Sequence, residues 1–189
     1  MTGYGVLHVI GFRKLVRQLY RVEVIGGERI PRDGACILTP NHESVVDPFI
    51  LAVATTRPIH YMTKAELFRF RPLAAVLRWL GTFPVERGSG DRTAMTEAAQ
   101  LLQRGAVLGI FPQGTSRQLV RRWHRGAARL ALATGAPLVP VTMTGTRAWP
   151  FRTRVRIEIR EPIAVTAAKP SVAAARELTR RIEAAMATT

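Results

Sequence analysis

A histidine and an aspartate stand five residues apart in Asn41-His42-Glu43-Ser44-Val45-Val46-Asp47-Pro48-Phe49. Together they could form a base and the carboxylate that orients it. On one ideal helix, residues five apart point about 140° away from each other, so the pair can meet only if one member lies outside the helix. Pro48 suits the first helical position, which makes Asp47 the N-cap and leaves His42 in the preceding loop, free to fold back onto the carboxylate. Ser44 with Asp47 also fits a Ser-x-x-Asp cap, which starts the helix earlier and still excludes His42. A plainer reading stays open at this point: Asp47 only caps a helix, and His42 is an ordinary loop histidine.

The other reactive residue types carry less. Ser44 has no Gly-x-Ser-x-Gly elbow around it and reads as a capping or packing residue rather than a nucleophile. Cys36, the only cysteine, sits in an apolar run and reads as a buried small hydrophobe. One cysteine excludes an intrachain disulfide and fits a reducing compartment. With no Cys/His cluster, no metal site is expected. Gly88-Ser89-Gly90 lacks the third glycine of a dinucleotide fingerprint and the Gly-Lys-Ser/Thr ending of a P-loop, so neither is assigned.

The elements that must position these residues alternate in type. Strand patterns occupy residues 21–25, 35–38, 59–62, 82–85, 106–111, 138–143 and 154–160. The last alternates charge with Val155, Ile157 and Ile159, as a half-buried peripheral strand would. Helical patterns occupy 4–20, 48–55, 64–80 with an interruption at Pro72, 92–104, a stretch ending before Gly135, and 171–187. Ser89 or Asp91 is the candidate cap for the fourth of these. Strands alternating with helices predict one α/β domain, with a mostly parallel or mixed central sheet flanked by helices. The run before Asn41-His42 ends a strand, and that is where such sheets place their sites. Phe111-Pro112-Gln113-Gly114-Thr115, at the end of another apolar strand, is a second candidate.

Composition narrows the partners. In 189 residues, 47% are hydrophobic and 22% charged, a globular balance with enough chain for a sizeable core. A net charge of +15, from 28 Lys and Arg against 13 Asp and Glu, suits an anionic bilayer, a phosphorylated substrate or nucleic acid. Nearly all of it is arginine, whose fork grips phosphate with two prongs. Only 7% of residues are aromatic, and no helix-turn-helix or RNA-binding signature occurs, so nucleic acid is not the expected partner. Residues 1–12 carry no formal charge but fall about eight short of the 20 or so apolar residues that a spanning helix needs. No small-residue cleavage site follows them. Val9, Phe12, Val16 and Leu19 recur at helical spacing beside Arg13, Lys14 and Arg17. Residues 1–20 therefore read as an amphipathic segment able to lie in a membrane interface or to pack on the core, followed by a catalytic domain over 21–189.

The blocks taken in order carry a resemblance. Asn41-His42-x4-Asp47-Pro48, Gly81-Thr82-Phe83-Pro84-Val85-Glu86-Arg87, Phe111-Pro112-Gln113-Gly114-Thr115 and Val139-Pro140-Val141 resemble the glycerolipid acyltransferase family, best known for its 1-acylglycerol-3-phosphate (lysophosphatidic acid) acyltransferases. The likeness runs from about Gly34 to Thr146. It implies that His42 is the general base, Asp47 orients it, and Asn41, Arg87, Gln113, Gly114 and Thr115 bind the acceptor. It also implies acyl-CoA or acyl-carrier protein as co-substrate, a lysophospholipid acceptor, no cofactor and no metal. The expected place is the cytoplasmic face of an anionic membrane, peripheral or monotopic. The third block departs from the usual Phe-Pro-Glu-Gly-Thr-Arg-Ser: Gln113 replaces the glutamate, and Ser116-Arg117 reverses the last pair. A different lipid or hydroxylated acceptor is therefore the nearest alternative, and a basic membrane-binding protein with a degenerate site the next.

Overall fold

The computed structural model describes residues 11, 14–64, 68–71, 74, 83–85, 92–114, 123–147 and 154–187. Among them each expected strand forms: β1 Arg21–Ile25, β2 Cys36–Pro40, β3 Ile59–Lys64, β4 Phe83–Val85, β5 Val107–Gly109, β6 Leu138–Thr144 and β7 Arg154–Ile159. After a helical stretch over residues 14–19, the helices α1 Asp47–Leu51, α2 Arg92–Gln103, α3 Gly126–Thr134 and α4 Val172–Ala187 accompany them. Most of the helical pattern over 64–80, the caps at Ser89 and Asp91, and residues 1–10 lie outside the described residues.

The strands make one sheet in the order β1-β7-β6-β2-β5-β3-β4. Every pair is parallel except β6 with β7, where Val141 faces Ile159 and Met143 faces Ile157. The sheet is thus mostly parallel, as expected. The strand over 154–159 is not at the edge, however, because β1 pairs alongside it, Val22 with Val155 and Val24 with Ile157. Alternation in β7 reports one covered face, which an inner strand near the sheet margin shares with an edge strand.

Helices cover both faces, and the direction of each crossover decides which. From β2 the chain passes over β5 to β3 through α1, whose Ile50 and Leu51 pack with Cys36, Leu38, Val139 and Val141. From β5 it passes the other way over β2 to β6 through α3, and this second face gathers Ile37, Leu108 and Leu138 with Ala128, Leu130 and Ile182. Connections of one hand running in opposite directions must lie on opposite faces. They part at the carboxyl ends of β2 and β5, the switch point at which sheets of this kind place their sites.

At the opposite edge, Arg57 ties three strands together. Its guanidinium donates to the carbonyls of Pro31, Gly34 and Gly105 at 2.8, 2.6 and 2.5 Å. Gly34, Gly105 and Arg57 each stand two residues before β2, β5 and β3 respectively. Hydrogen bonds to a charged group contribute about 1.5–3 kcal/mol each, less where exposed. Arg57→Ala is therefore expected to cost about 2–3 kcal/mol and lower Tm by roughly 5–10 °C, with Arg57→Lys recovering little because an ammonium lacks the planar fork. Thermal unfolding followed by circular dichroism checks this, and an unchanged Tm would show that the clamp is dispensable. Burial pushes the neighbouring Cys36 thiol up to about 11, with Arg57 pulling the other way. Cys36 is fully buried, in keeping with a core residue and not a nucleophile.

Residues 14–19 are helical. Val16 is buried and Leu19 packs on the same cluster as α1, whereas Leu15 is 51% exposed. No described helix is long and apolar enough to cross a membrane.

Candidate active site

The strand β2 is buried throughout, and the way it ends explains the arrangement beyond it. Asn41 leaves the sheet with its backbone N–H still bonded to the Val141 carbonyl at 3.3 Å. Its side chain then meets β6 as another peptide group would. Oδ1 accepts from the Met143 N–H at 2.6 Å, and Nδ2 donates to the Met143 carbonyl at 2.8 Å. A side-chain amide carries its donor and its acceptor on separate atoms, as a peptide group does, so the ladder is satisfied while the main chain turns away.

That turn places His42 in the loop before α1, the position expected from the five-residue spacing. Its Nδ1 lies 2.9 Å from Asp47 Oδ2. The carboxylate has no exposure and the imidazole 18%. An ionised carboxylate only accepts, so Nδ1 is the donor; in the neutral ring Nε2 then carries the lone pair, and it has no hydrogen bond among the described residues. This is the tautomer that a base requires.

The expected role of Asp47 as an N-cap is corrected. Val46 occupies the cap position without a side-chain cap bond, and Asp47 is the first helical residue, with Pro48 after it. Its Oδ2 reaches backwards and accepts from the Glu43 and Ser44 N–H groups at 2.7 and 2.8 Å as well as from His42. One oxygen thus gathers the loop around the His42 ring. Ser44 turns its own oxygen toward the Val46 N–H at a long 3.5 Å, so it is neither a strong cap nor a nucleophile aligned with His42.

The turn after β5 closes the site. Phe111 lies under the imidazole with ring centroids 4.3 Å apart and planes tilted by 36°. Tyr61, on β3, stands behind Phe111 at 6.2 Å and donates its hydroxyl to the Pro48 carbonyl at 2.8 Å. Burial raises the Tyr61 phenol far above its usual range, so it remains a neutral donor. Gln113 Oε1 accepts the His42 N–H at 2.6 Å. Gly114 has a positive φ of 66°, and a Cβ there would meet the His124 ring at 2.8 Å. Glycine is therefore required twice over, by conformation and by space.

Of the residues singled out from sequence, Asn41, His42, Asp47, Gln113 and Gly114 converge at the carboxyl ends of β2, β5 and β6. Arg87 and Thr115 lie outside the described residues. Tyr61 and His124 were not foreseen: each acts through contacts between distant segments, and neither belongs to a recognisable local pattern.

Comparison with known proteins agrees with this geometry. The family model described as Acyltransferase matches residues 21–144, from the first residue of β1 to the last of β6. The 1-acyl-sn-glycerol-3-phosphate acyltransferase of Bacillus subtilis is 34% identical over 125 residues, covering 66% of this chain and 63% of that protein. Its counterpart in Borreliella burgdorferi is 32% identical over 130 residues, covering 67% of this chain and 52% of that protein. The chain thus spans little more than half to under two thirds of the length of these relatives. The crystal structure of the 1-acyl-sn-glycerophosphate (LPA) acyltransferase PlsC from Thermotoga maritima shares the fold, with a TM-score of 0.74 at 24% identity over 96% of this chain and 76% of that one. A match that takes in six of the seven strands and both site-bearing turns leaves one assignment, and the chain belongs to the acyltransferase family.

Proposed function

We propose that this protein transfers a fatty acyl group from acyl-CoA or acyl-carrier protein to the free hydroxyl of a lysophospholipid, with 1-acylglycerol 3-phosphate as acceptor and phosphatidic acid as product. The observation that carries the reading is the 2.9 Å bond from His42 Nδ1 to the buried Asp47, which leaves Nε2 without a hydrogen bond among the described residues, on a ring that is 18% exposed. Relatives named as 1-acyl-sn-glycerol-3-phosphate acyltransferases supply the acceptor class.

In this mechanism Nε2 takes the hydroxyl proton as the acceptor oxygen attacks the thioester carbonyl. Asp47 holds the ring and stabilises the imidazolium. The tetrahedral intermediate collapses by expelling thiolate, which needs little acid assistance because a free thiol has a pKa of about 8.5. The imidazolium proton then goes to the thiolate, so that ester and thiol leave and the base is restored. No acyl-enzyme is formed. Arg87, with Gln113, Gly114 and Thr115, binds the phosphorylated acceptor.

The protein works at an anionic membrane surface, on the cytoplasmic face, with the exposed Lys14, Leu15 and Arg17 of the N-terminal segment as its contact, while Val16 and Leu19 of that segment pack on the core. Support comes from the net charge of +15 and from Val45, three residues beyond His42, which is apolar and 76% exposed. A second acceptor class, another hydroxylated lipid, is favoured by Gln113 in the place of the family's glutamate.

The deciding experiment measures thiol release from a long-chain acyl-CoA in mixed micelles, with lysophosphatidic acid, with other lysolipids and with no acceptor. Release that needs lysophosphatidic acid and yields phosphatidic acid is expected. Acceptor-independent release would replace the reading with thioester hydrolysis, and release with another lysolipid alone would favour the second acceptor class.

A further inference from the structure

The sheet face opposite α1 changes character along its width. Helices α3 and α4 pack with Ile37, Leu108 and Leu138 at its centre, but toward β7 and β1 the same face carries charge. Val155 and Ile157 of β7, with Val22 and Val24 of β1, turn to the α1 side. Alternation therefore sends Arg154, Arg156, Arg21 and Glu23 to the other side. Register sets Arg21 beside Arg154 and Glu23 beside Arg156, and Arg156 also faces Thr144 of β6. All of these are exposed. Arg147, exposed as well, stands in the turn after β6. That turn lies against β7, since a Cβ on Gly145 would collide with the Arg154 carbonyl.

Acidic side chains do not neutralise this cluster. Among the described residues, Arg21, Arg147, Arg154 and Glu23 form no ion pair. Glu158 lies closer to Arg160, at 3.1 Å, than to Arg156, at 3.7 Å. Like charges side by side on neighbouring strands destabilise a sheet, and an anion held between them reverses that effect. The position indicates which anion. Arg154 and Arg156 open β7 where β6 ends, the end of the sheet that carries His42. The residues assigned to the acceptor follow β4 and β5, on one side of β2. The arginines lie on the other side, two and three strands away in the order β1-β7-β6-β2. At about 4.8 Å per strand, that is on the order of 10–14 Å across the sheet. A pantetheine arm has about as many bonds between sulfur and phosphate as four residues of main chain, and extends roughly 14 Å.

We propose that Arg21, Arg154 and Arg156 bind the nucleotide phosphates of acyl-CoA, so that donor and acceptor approach His42 from opposite sides of β2. The proposal rests on the acyltransferase reading above and names the part of the donor that is recognised. Planar guanidinium forks suit phosphate oxygens, and neighbouring forks suit several phosphates held close together. With the phosphates seated there, the arm runs past β6 and delivers the thioester to the base.

Steady-state transfer by the full chain in uncharged mixed micelles compares a long-chain acyl-CoA with the corresponding acyl-pantetheine, which lacks the nucleotide. In Arg154→Gln/Arg156→Gln, KM for acyl-CoA is expected to rise about tenfold with kcat within about twofold, each exposed fork accounting for roughly a factor of three. Arg21→Gln should add a similar factor. KM for acyl-pantetheine should not follow, and a misfolded variant would lose both donors alike. Added salt should narrow the wild-type preference for acyl-CoA, because these charges are open to solvent. An unchanged KM for acyl-CoA, or an equal rise for both donors, overturns the proposal. Transfer by the wild type from acyl-carrier protein but not from acyl-CoA overturns it as well and leaves the acyltransferase reading standing. If no donor is used, that reading falls, and calorimetry with CoA alone decides the site. A Kd about tenfold weaker in the double variant supports it, and the same Kd in both proteins overturns it.

Discussion

His42→Ala is expected to lower kcat by about 10²- to 10⁴-fold, with KM for the acceptor little changed, because in the proposed mechanism the ring moves a proton and does not hold the substrate. The fold should survive. Asp47 Oδ2 keeps the Glu43 and Ser44 N–H groups when the imidazole is gone, so the buried carboxylate is not stranded. What is lost is one charge-assisted bond and the contact with Phe111, together about 1–3 kcal/mol. Activity and stability therefore respond on different scales, and single-turnover transfer measured beside thermal unfolding distinguishes them. Near-normal turnover in the alanine variant would remove His42 from the reaction.

Changes at Asp47 should behave differently, because this carboxylate organises the loop that carries His42 and, in the proposed mechanism, also orients the base. Asp47→Ala leaves the Glu43 and Ser44 N–H groups and the His42 ring without their shared acceptor. At about 1–3 kcal/mol for each unsatisfied buried donor, the variant should lose several kcal/mol as well as its activity. Asp47→Asn is the sharper probe. Its amide oxygen can take the same three donors, so the loop should remain, but the charge that stabilises an imidazolium is absent. Turnover should fall about 10²-fold or more with a modest loss of Tm. If the asparagine variant retains wild-type kcat, Asp47 serves the loop alone. If it unfolds, the amide nitrogen is intolerable where Asp47 Oδ1 now lies buried without a partner among the described residues.

The strands were legible because β-branched and apolar runs such as 138–143 and 154–159 mark them locally, and the α/β alternation follows from their order. Which strand lies beside which was not, since pairing β1 with β7 joins residues at opposite ends of the chain. The His42–Asp47 pair was legible from spacing and from Pro48, which excludes a continuous helix through both. The cap assigned to Asp47 failed for a specific reason. An aspartate before proline signals a carboxylate near a helix start, but not whether it turns forward to the helix or back to the loop, and here the Glu43 and Ser44 N–H groups and the imidazole outbid the helix. Gln113 was recognisable as an anomaly without its meaning, which depends on a bond across 71 residues.

The side-chain amide of Asn41 has a dynamic consequence. The Met143 N–H lies within β6, yet its acceptor is the side chain of Asn41, the last residue whose backbone still bonds to β6, through Val141. Any opening of the segment that carries His42 that draws the Asn41 side chain away therefore releases the Met143 N–H as well. In its exposure to solvent exchange that amide belongs to the loop, and it records from inside the sheet how often the loop of His42 strays from its place.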